Sequence, residues 1–417
     1  IDSDCPEWPV IEKALHSRFQ GDEGGAEMTF EVGDSVMTTE LTDHREQQAR
    51  MDNKELSDSN HGDTNIPVIK APEKITVPKS NWQITSYSAL AHGKKVRADD
   101  KGDDDSAITT DAESEVDEQL LKEEDKKWAS DPRYTLKGSA ITGNCLHGIF
   151  ETHALELSKE APSKEEEKEE DKEDFAAVVE KLLSVYGLDK PAGKAIDTSQ
   201  NPDELRLAHV KGIQTWMTQA LNQPLACENL ERPPSLLELF KSKLVIPEME
   251  FDFAIGTDTC VPVVASFNKA LHSAGLDGLQ LFDDQIHGLM TGSADLVFIH
   301  DNKVYVLDYK SNTLGKAPRF YDEGSMSKCM KESRYDLQYM IYSAAVHRYF
   351  SRYFSNRYSF DKEAGKDLSF GGVFYLFLRG MGLGPKSEEY ARHGVWFKRP
   401  EYEHVQALDD AFRGDPQ

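Results

Sequence analysis

The sequence predicts an α/β protein with a central mixed β-sheet flanked by helices. Three observations support this fold class. Helical and strand-like segments follow one another after residue 80 in the order helices, strand, hairpin, helix and strand, which suits an α/β sandwich. Both strands of the hairpin are apolar on both faces, as expected of strands in the middle of a sheet. The later strand is an apolar segment flanked by glycines, which indicates a further buried strand.

The hairpin is predicted from residues 292–310, GSADLVFIHDNKVYVLDYK. Two segments rich in Val, Ile, Leu, Phe and Tyr surround Asp301-Asn302, a pair that suits the positive φ angles of a tight turn. A turn at these two residues, or a loop of about four residues, sets His300 opposite Lys303. This register then fixes the other cross-strand pairs of the hairpin.

The same register predicts a charged cluster at the open end of the hairpin. It sets Asp295 opposite Asp308, and because side chains alternate between faces, both carboxylates and Lys310 emerge on one side while Tyr309 points to the other. Directly opposed carboxylates destabilise a sheet, so we expect a positive charge between them. Mg²⁺ prefers such oxygen ligands, and the ammonium of Lys310 lies one cross-strand pair away. The alternative is a surface hairpin with two unrelated acids.

Apolar periodicity predicts the remaining elements in chain order. A short strand, followed by a helix capped by Thr or Ser, begins at Trp82 and marks the domain boundary. His147 is expected near the start of an amphipathic helix whose apolar residues continue to Leu157. The other predicted helices are Phe175–Tyr186, Glu204–Leu221 and Tyr335–Tyr353, and the other predicted strands are Leu244–Ile255, Gly371–Arg379 and a short one at Trp396 and Phe397.

The acidic residues lie mainly outside these elements. The net charge is −26, and most of the excess acid falls in residues 1–80, 101–127 and 158–174. The rest of the chain is nearly neutral, so a nucleic-acid partner is not excluded. The predicted organisation is a short amphipathic helix within 1–20, a flexible, disordered acidic linker at 21–80, and one domain at 81–417. This domain has acidic insertions near 98–127 and 158–174, and the second of them is expected to be solvated.

Composition excludes several classes of protein. The five cysteines are scattered and form no C-x-x-C motif, so a disulfide framework, a zinc ribbon or an iron–sulfur cluster is not expected. The sequence has no run of about eighteen apolar residues and no charged start followed by an apolar segment, so we expect a soluble, cytoplasmic protein without membrane contact. It also has no G-x-x-x-x-G-K-[ST] segment, so no phosphate loop for ATP is expected.

Several motifs together resemble the C-terminal nuclease domain of the RecB family, the beta subunits of the helicase-nuclease exodeoxyribonuclease V. They are, in chain order, WQITSYSAL, GNCLHGIFE, EMEF, the hairpin ending in DYKSNTLG, RYDLQYMIYSAAVHRYF and FGGVFYLFLRG. The resemblance covers the chain from Trp82 onward, apart from the acidic insertions. It implies a restriction-endonuclease-like nuclease fold, with residues 1–20 as the end of a preceding motor region.

The resemblance also implies which residues form the active site. The signature of this fold, an acid followed by Asp-x-Lys on the adjoining strand, falls on Asp295, Asp308 and Lys310. In the family the metal is also bound by the histidine of a G-x-x-L-H helix, which matches His147, and by the backbone carbonyl within Asp-x-Lys, which matches Tyr309. These residues are therefore the expected ligands of Mg²⁺.

Further site residues follow from the same resemblance. A functional glutamate on the strand before the hairpin matches Glu248, and Glu250 stays open as an alternative because it has the same strand parity. Gln338 and Tyr342 form a Q-x-x-x-Y pair on one helical face, where they are expected to meet the DNA backbone or to support Lys310. The candidate phosphate contacts are Arg334 and Arg348.

The implied activity is Mg²⁺-dependent hydrolysis of DNA phosphodiester bonds. The metal would polarise the phosphate and activate a water, and Lys310 would orient that water or stabilise the added negative charge. The domain would be the nuclease part of an ATP-dependent complex with RecC-like and RecD-like subunits. That complex would degrade linear duplex and single-stranded DNA in double-strand-break repair and recombination. The alternatives are a non-catalytic docking module of the same complex and a standalone exonuclease.

Overall fold

The chain divides into two units, Ile1–Lys79 and Ser80–Gln417. The first contains two short antiparallel strands, β1 (Thr29–Val32) and β2 (Ser35–Thr38), where the sequence predicted only a linker. The computed structural model describes residues 29–32, 35–38, 82–92, 123–128, 130–159, 171–191, 201–228, 230–256, 263–281, 286–383 and 391–414.

The predictions for the rest of residues 1–80, including the helix within 1–20, lie outside the described residues, and so does most of the two acidic insertions. Where the insertion near 98–127 ends, Glu123–Trp128 forms a 3₁₀ turn. Asp125 in this turn is buried and accepts a hydrogen bond from Arg319 Nε at 3.0 Å. Asp125, near the end of that insertion, is therefore packed against the domain.

The second unit is built from strands and helices that alternate irregularly along the chain. Its strands are β3 (Trp82–Thr85), β4 (Val245–Ile255), β5 (His287–His300), β6 (Lys303–Lys310), β7 (Tyr358–Ser359), β8 (Leu368–Phe377) and β9 (Val395–Lys398). Its helices are α1 (Tyr87–His92), α2 (Pro132–Thr135), α3 (Ala140–Lys159), α4 (Asp171–Val185), α5 (Pro202–Leu221), α6 (Leu236–Ser242), α7 (Val264–Ser273), α8 (Glu323–Glu332), α9 (Tyr335–Tyr353) and α10 (Tyr402–Arg413).

The described strands of the second unit form one mixed, seven-stranded sheet around β5. Along one edge, β5 pairs with β4 in an antiparallel ladder. Along the other edge, β3 pairs in parallel with His287–Met290, and β6 pairs antiparallel with Leu296–His300. Beyond β6, β8 runs parallel to it and pairs with β7 and β9. The segment 291–295 of β5 therefore lies between the two strands that share its edge.

The predicted hairpin register is confirmed over the turn half of the hairpin. The ladder runs from His300 opposite Lys303 to Leu296 opposite Leu307. Asp301 and Asn302 have φ angles of 48° and 59°, so the turn is the left-handed type that Asp-Asn suits. The mixed α/β sheet that the sequence predicted is therefore confirmed, with this hairpin at its centre.

Two apolar cores cover the two faces of the sheet, because side chains of β5 and β6 alternate between them. One face carries Phe298, Tyr305 and Leu307 and packs against α3, α4 and α5. The opposite face carries Val304 and Val306 and packs against α9. Burying one such large side chain contributes roughly 1.5–3 kcal/mol. The two cores hold α3 and α9 on opposite sides of the hairpin.

Several boundaries differ from the predictions. α9 spans Tyr335–Tyr353 as predicted, and Ser86 Oγ caps α1 by accepting from Ala89 N–H at 3.3 Å. β8 ends at Phe377 and a 3₁₀ turn, Leu378–Gly380, follows it. α3 begins at Ala140, so His147 lies well inside this helix rather than near its start. None of the helices in the described ranges is long and apolar enough to span a membrane.

Candidate active site

The two strands of the central hairpin separate immediately beyond the Leu296–Leu307 pair. The predicted pairing of Asp295 with Asp308 is therefore not formed. Instead, Asp295 Oδ2 accepts a hydrogen bond from the backbone N–H of Tyr309 at 2.6 Å. A carboxylate thus takes the place of a ladder carbonyl, which satisfies the amide and relieves the repulsion between directly opposed acids.

Asp308 and Lys310 do share one face of β6, as predicted. Both are buried, with 1% and 3% of their surface exposed. Lys310 Nζ lies 2.7 Å from Asp308 Oδ2. The ammonium also lies 4.2 Å from the ring centre of Tyr335 and 5.6 Å from that of Tyr375. A carboxylate and two aromatic faces therefore stabilise a buried cation where the strands separate.

The Q-x-x-x-Y pair lies behind this lysine rather than on the surface. Gln338 and Tyr342 are both buried on α9. Gln338 Nε2 donates to the Tyr342 hydroxyl at 3.0 Å, and the Tyr375 hydroxyl donates to Gln338 Oε1 at 3.1 Å. Tyr375 in turn faces Lys310. This chain of hydrogen bonds favours support of Lys310 over direct contact with DNA.

Sequence reasoning missed Tyr335 and Tyr375. Tyr335 exchanges hydrogen bonds with the side chain of Asn312 at 3.3 Å, just beyond Lys310. Tyr375 lies on β8 opposite Asp308 in the parallel register. A tyrosine within an otherwise apolar buried strand needs a partner for its hydroxyl, and this requirement was the available signal.

His147 approaches the site from the other face of the sheet. Its Nδ1 lies 3.4 Å from Asp295 Oδ2, and its side chain is 21% exposed. The Tyr309 ring lies beneath it, with ring centres 5.6 Å apart, and Phe150 stacks on Tyr309 at 5.0 Å. Phe150 is fully buried and belongs to the apolar stripe of α3. The packing of α3 on the sheet therefore brings His147 to Asp295.

Glu248 lies level with Asp295 on the neighbouring strand β4, between the pairs Pro247–Leu296 and Met249–Ala294. Its φ angle is 46°, which is rare for a residue other than glycine. Ser293 Oγ donates to Glu248 Oε2 at 3.1 Å. Backbone strain of this kind costs about 1–3 kcal/mol and is typical of functional sites.

The competing residue, Glu250, is exposed on β4. Glu248, by contrast, is one of three acids whose charges affect the pKa of the buried Tyr309 phenol. Burial raises the pKa of Tyr309 well above its usual value, and the negative charges of Asp295, Glu248 and Asp308 raise it further. Asp308 directly precedes Tyr309, Asp295 accepts from the Tyr309 amide, and Glu248 lies level with Asp295 on β4, so the three carboxylates belong to one region of the sheet. The position of Glu248 favours it over Glu250 as the functional glutamate.

The donor chemistry of this cluster suits a hard divalent cation, which takes carboxylate oxygens and imidazole nitrogen. Three nearby negative charges give such a cation a further reason to bind there. The side chains do not already form a coordination shell: within the described ranges, no group of three or more His, Cys, Asp or Glu residues is arranged to hold a metal ion.

The two candidate phosphate contacts have protein partners. Arg334 donates to the backbone carbonyls of Gly278 and Asp277, at 3.1 Å and 2.8 Å. Arg348 pairs with the buried Asp409 and lies 4.3 Å from the ring centre of Phe253. These contacts favour a structural role for both guanidiniums. Contact with DNA phosphates stays a prediction for them.

The fold and this site define an α/β protein with a cluster of charged residues at the point where the two strands of its central hairpin separate. No family model matches the chain. RecB, a subunit of the RecBCD enzyme, from Haemophilus influenzae is 30% identical over 352 residues, which are 82% of this chain and 24% of that protein. RecB from Escherichia coli K12 is 34% identical over 208 residues, 48% of this chain and 16% of that protein.

RecB from Mycobacterium tuberculosis H37Rv is also similar, at 34% identity over 150 residues, 35% of this chain and 12% of that protein. The chain therefore belongs with RecB as a RecB-related domain. It spans 24% or less of the length of the RecB proteins named here.

Proposed function

We propose that this chain is a divalent-metal-dependent DNA nuclease that hydrolyses phosphodiester bonds, with Mg²⁺ as its cofactor and a restriction-endonuclease-like fold. The observation that carries the proposal is the buried Asp308–Lys310 pair at 2.7 Å, beside Asp295, where β5 and β6 separate. Burying an ion pair costs desolvation free energy, so its presence where β5 and β6 separate indicates a role in chemistry rather than in stability. The relationship to RecB supports the same function.

The side chains of Asp295, Asp308 and His147, with the backbone carbonyl of Tyr309, would hold the cation. When bound, Mg²⁺ supplies a Lewis acid for the scissile phosphate and lowers the pKa of a water. Lys310 is the one cation among these residues, and it orients the attacking water or stabilises the charge that develops on the phosphate. Tyr335, Tyr375, Gln338 and Tyr342 keep its ammonium in place.

Glu248 has a different role in this proposal. Its backbone is strained and its carboxylate accepts a hydrogen bond from Ser293, level with Asp295, where it adds negative charge to the site. That charge would strengthen cation binding and accept a hydrogen bond from water. A glycine at the same position would adopt this φ angle without strain, so strain at a glutamate indicates that its side chain is used.

The relatives are named as subunits of the RecBCD enzyme. By analogy, we propose that the domain works in the cytoplasm with RecC-like and RecD-like subunits. There it would degrade linear duplex and single-stranded DNA during double-strand-break repair and recombination. An ATP-driven motor outside this chain would unwind the DNA.

The proposal is tested by incubating the purified chain with end-labelled linear duplex and single-stranded DNA, with Mg²⁺ or with EDTA. Cleavage is expected in the presence of Mg²⁺ and not in the presence of EDTA. An Asp308→Asn variant purified in the same way is the control for contaminating nucleases, and it should not cut. If the parent chain and the variant give equal cleavage, or if neither cuts under any metal condition, the nuclease proposal is wrong and the docking-module alternative gains support.

A further inference from the structure

Arg379 is a buried arginine at the edge of the proposed site that sequence reasoning did not identify. It lies in the 3₁₀ turn directly after β8 and has no exposed surface. Among the described residues no carboxylate pairs with it, and burial lowers its pKa from the usual value. An arginine keeps its charge at neutral pH even so, and burying an unpaired charge costs several kcal/mol. Packing alone does not explain such a residue.

The guanidinium of Arg379 bonds three backbone carbonyls from two separate segments. Nε donates to Ser311 O at 2.8 Å, and Ser311 directly follows Lys310. Nη1 donates to Arg133 O at 2.6 Å and to Leu136 O at 2.8 Å, in the segment that leads into α3. One side chain therefore connects the end of the Asp-x-Lys strand to the approach of the helix that carries His147.

A second arginine strengthens the same connection in the opposite direction. Arg133 donates through Nη1 to Met381 O at 3.3 Å and through Nη2 to Gly382 O at 3.1 Å. Arg133 thus bonds the segment after Arg379, while its own carbonyl accepts from Arg379. Each arginine therefore binds the backbone of the segment that carries the other arginine. The segment before α3 and the segment after β8 are thus connected by hydrogen bonds in both directions.

The segment around the start of α3 also lies in close contact with the residues that follow β6. A Cβ atom at Gly143 would stand 3.2 Å from Ser311 Oγ, and one at Gly138 would stand 3.1 Å from Thr313 Oγ1. Gly143 precedes His147 by one helical turn and so lies on the same side of α3. The distance between α3 and the end of β6 therefore determines where His147 stands relative to Asp295 and Asp308.

We propose that Arg379 is a positioning residue, which fixes α3 against the end of β6 so that His147 and the carboxylates of the hairpin converge on one cation. The proposal rests on the proposed function for its metal. Arg379 does not touch the reacting atoms and acts through the backbone of Ser311, Arg133 and Leu136.

The test compares Arg379→Met and Arg379→Lys with the control Arg399→Met in the full chain. Arg399 also donates to backbone carbonyls, Phe370 O and Phe360 O at 3.2 Å, but it lies at the other end of β8. Amide hydrogen exchange read by mass spectrometry should become faster in segments 136–147 and 309–315 for Arg379→Met and to a smaller extent for Arg379→Lys. The control should leave both segments unchanged.

A metal titration adds a readout that a general loss of stability would not produce. Substitution of a residue that supports a metal ligand typically lowers the affinity for the metal by about 10–100-fold. Arg379→Met should therefore weaken Mn²⁺ binding by about tenfold or more. Combining it with His147→Ala should give less than the sum of the two losses, because both act on the same ligand. If Arg379→Met does not fold, Arg379→Lys carries the same comparison.

Two results would overturn the proposal: faster exchange confined to the turn around Arg379, or additive losses of Mn²⁺ affinity with His147→Ala. Failure of the proposed function looks different. In that case the parent chain itself would neither bind Mn²⁺ nor cut DNA, while the exchange comparison would still decide whether Arg379 connects the two segments.

Discussion

The two ends of the β5–β6 hairpin are stabilised in different ways. At the turn end, the strands pair regularly from His300–Lys303 to Leu296–Leu307, and their apolar side chains fill both cores. At the open end, a carboxylate replaces a ladder carbonyl, Lys310 and Asp308 are buried as ions, and Glu248 has a φ angle of 46°. The open end therefore contains features that cost stability, and such features are typical of sites where chemistry takes place.

The largest expected effect comes from Asp308→Asn. Loss of this charge should reduce DNA cleavage by about a hundredfold or more, the scale on which one preorganised electrostatic group acts. It should also lower the free energy of unfolding, since removing one partner of a buried ion pair costs about 3–5 kcal/mol. Single-turnover cleavage and denaturant unfolding in EDTA measure the two effects.

A double variant, Asp308→Asn with Lys310→Met, sharpens this test. Removing both charges should recover much of the lost stability, because no buried cation is left without its carboxylate, and cleavage should stay absent. Cleavage that returns together with stability would show that Asp308 serves the fold only.

Glu248→Gly should separate activity from stability. Glycine adopts the φ angle of this position freely, so the free energy of unfolding should rise by about 1 kcal/mol while cleavage falls by about tenfold. Glu250→Gly is the matched control on the same strand, and it should lower stability by roughly 0.5–1 kcal/mol without loss of cleavage. The opposite pattern would make Glu250 the functional glutamate.

Tyr335→Leu removes an aromatic face from the Lys310 ammonium. A desolvated cation–π contact contributes about 2 kcal/mol, so kcat should fall by about thirtyfold. KM and Mn²⁺ affinity should change little, because this ring is buried. Tyr335→Phe keeps the ring and loses the hydroxyl that exchanges hydrogen bonds with Asn312, so it should stay near the parent rate. Equal losses in both variants would exclude the cation–π explanation.

The smallest effect on activity is expected from Arg348→Met. Arg348 pairs with Asp409, which also accepts from Arg413 Nη2 at 2.7 Å, so the change should lower the free energy of unfolding by about 1–3 kcal/mol. DNA affinity and its dependence on salt concentration should not change. A shallower salt dependence would show that Arg348 neutralises a phosphate.

The sequence predicted the regular parts of the molecule well. The Asp-Asn turn determined the hairpin register, and long helical periodicity determined α9 from Tyr335 to Tyr353. Short helices such as α7 and α8 were missed because each has ten residues, too few to establish a helical period. The separation of Asp295 from Asp308 was also missed, since it depends on a bond to the Tyr309 amide that no local pattern encodes. Arg379 was missed for the same reason, because its partners are distant in the chain.

The central claim is that the open end of the hairpin and α3 together bind one divalent cation. A calorimetric titration of the purified chain with Mn²⁺ tests it most directly. The parent should bind, and Asp295→Asn, Asp308→Asn and His147→Ala should each weaken binding by about tenfold or more, whereas Lys310→Gln should leave it nearly unchanged. Absence of binding by the parent, or binding that survives all three ligand changes, would contradict the account.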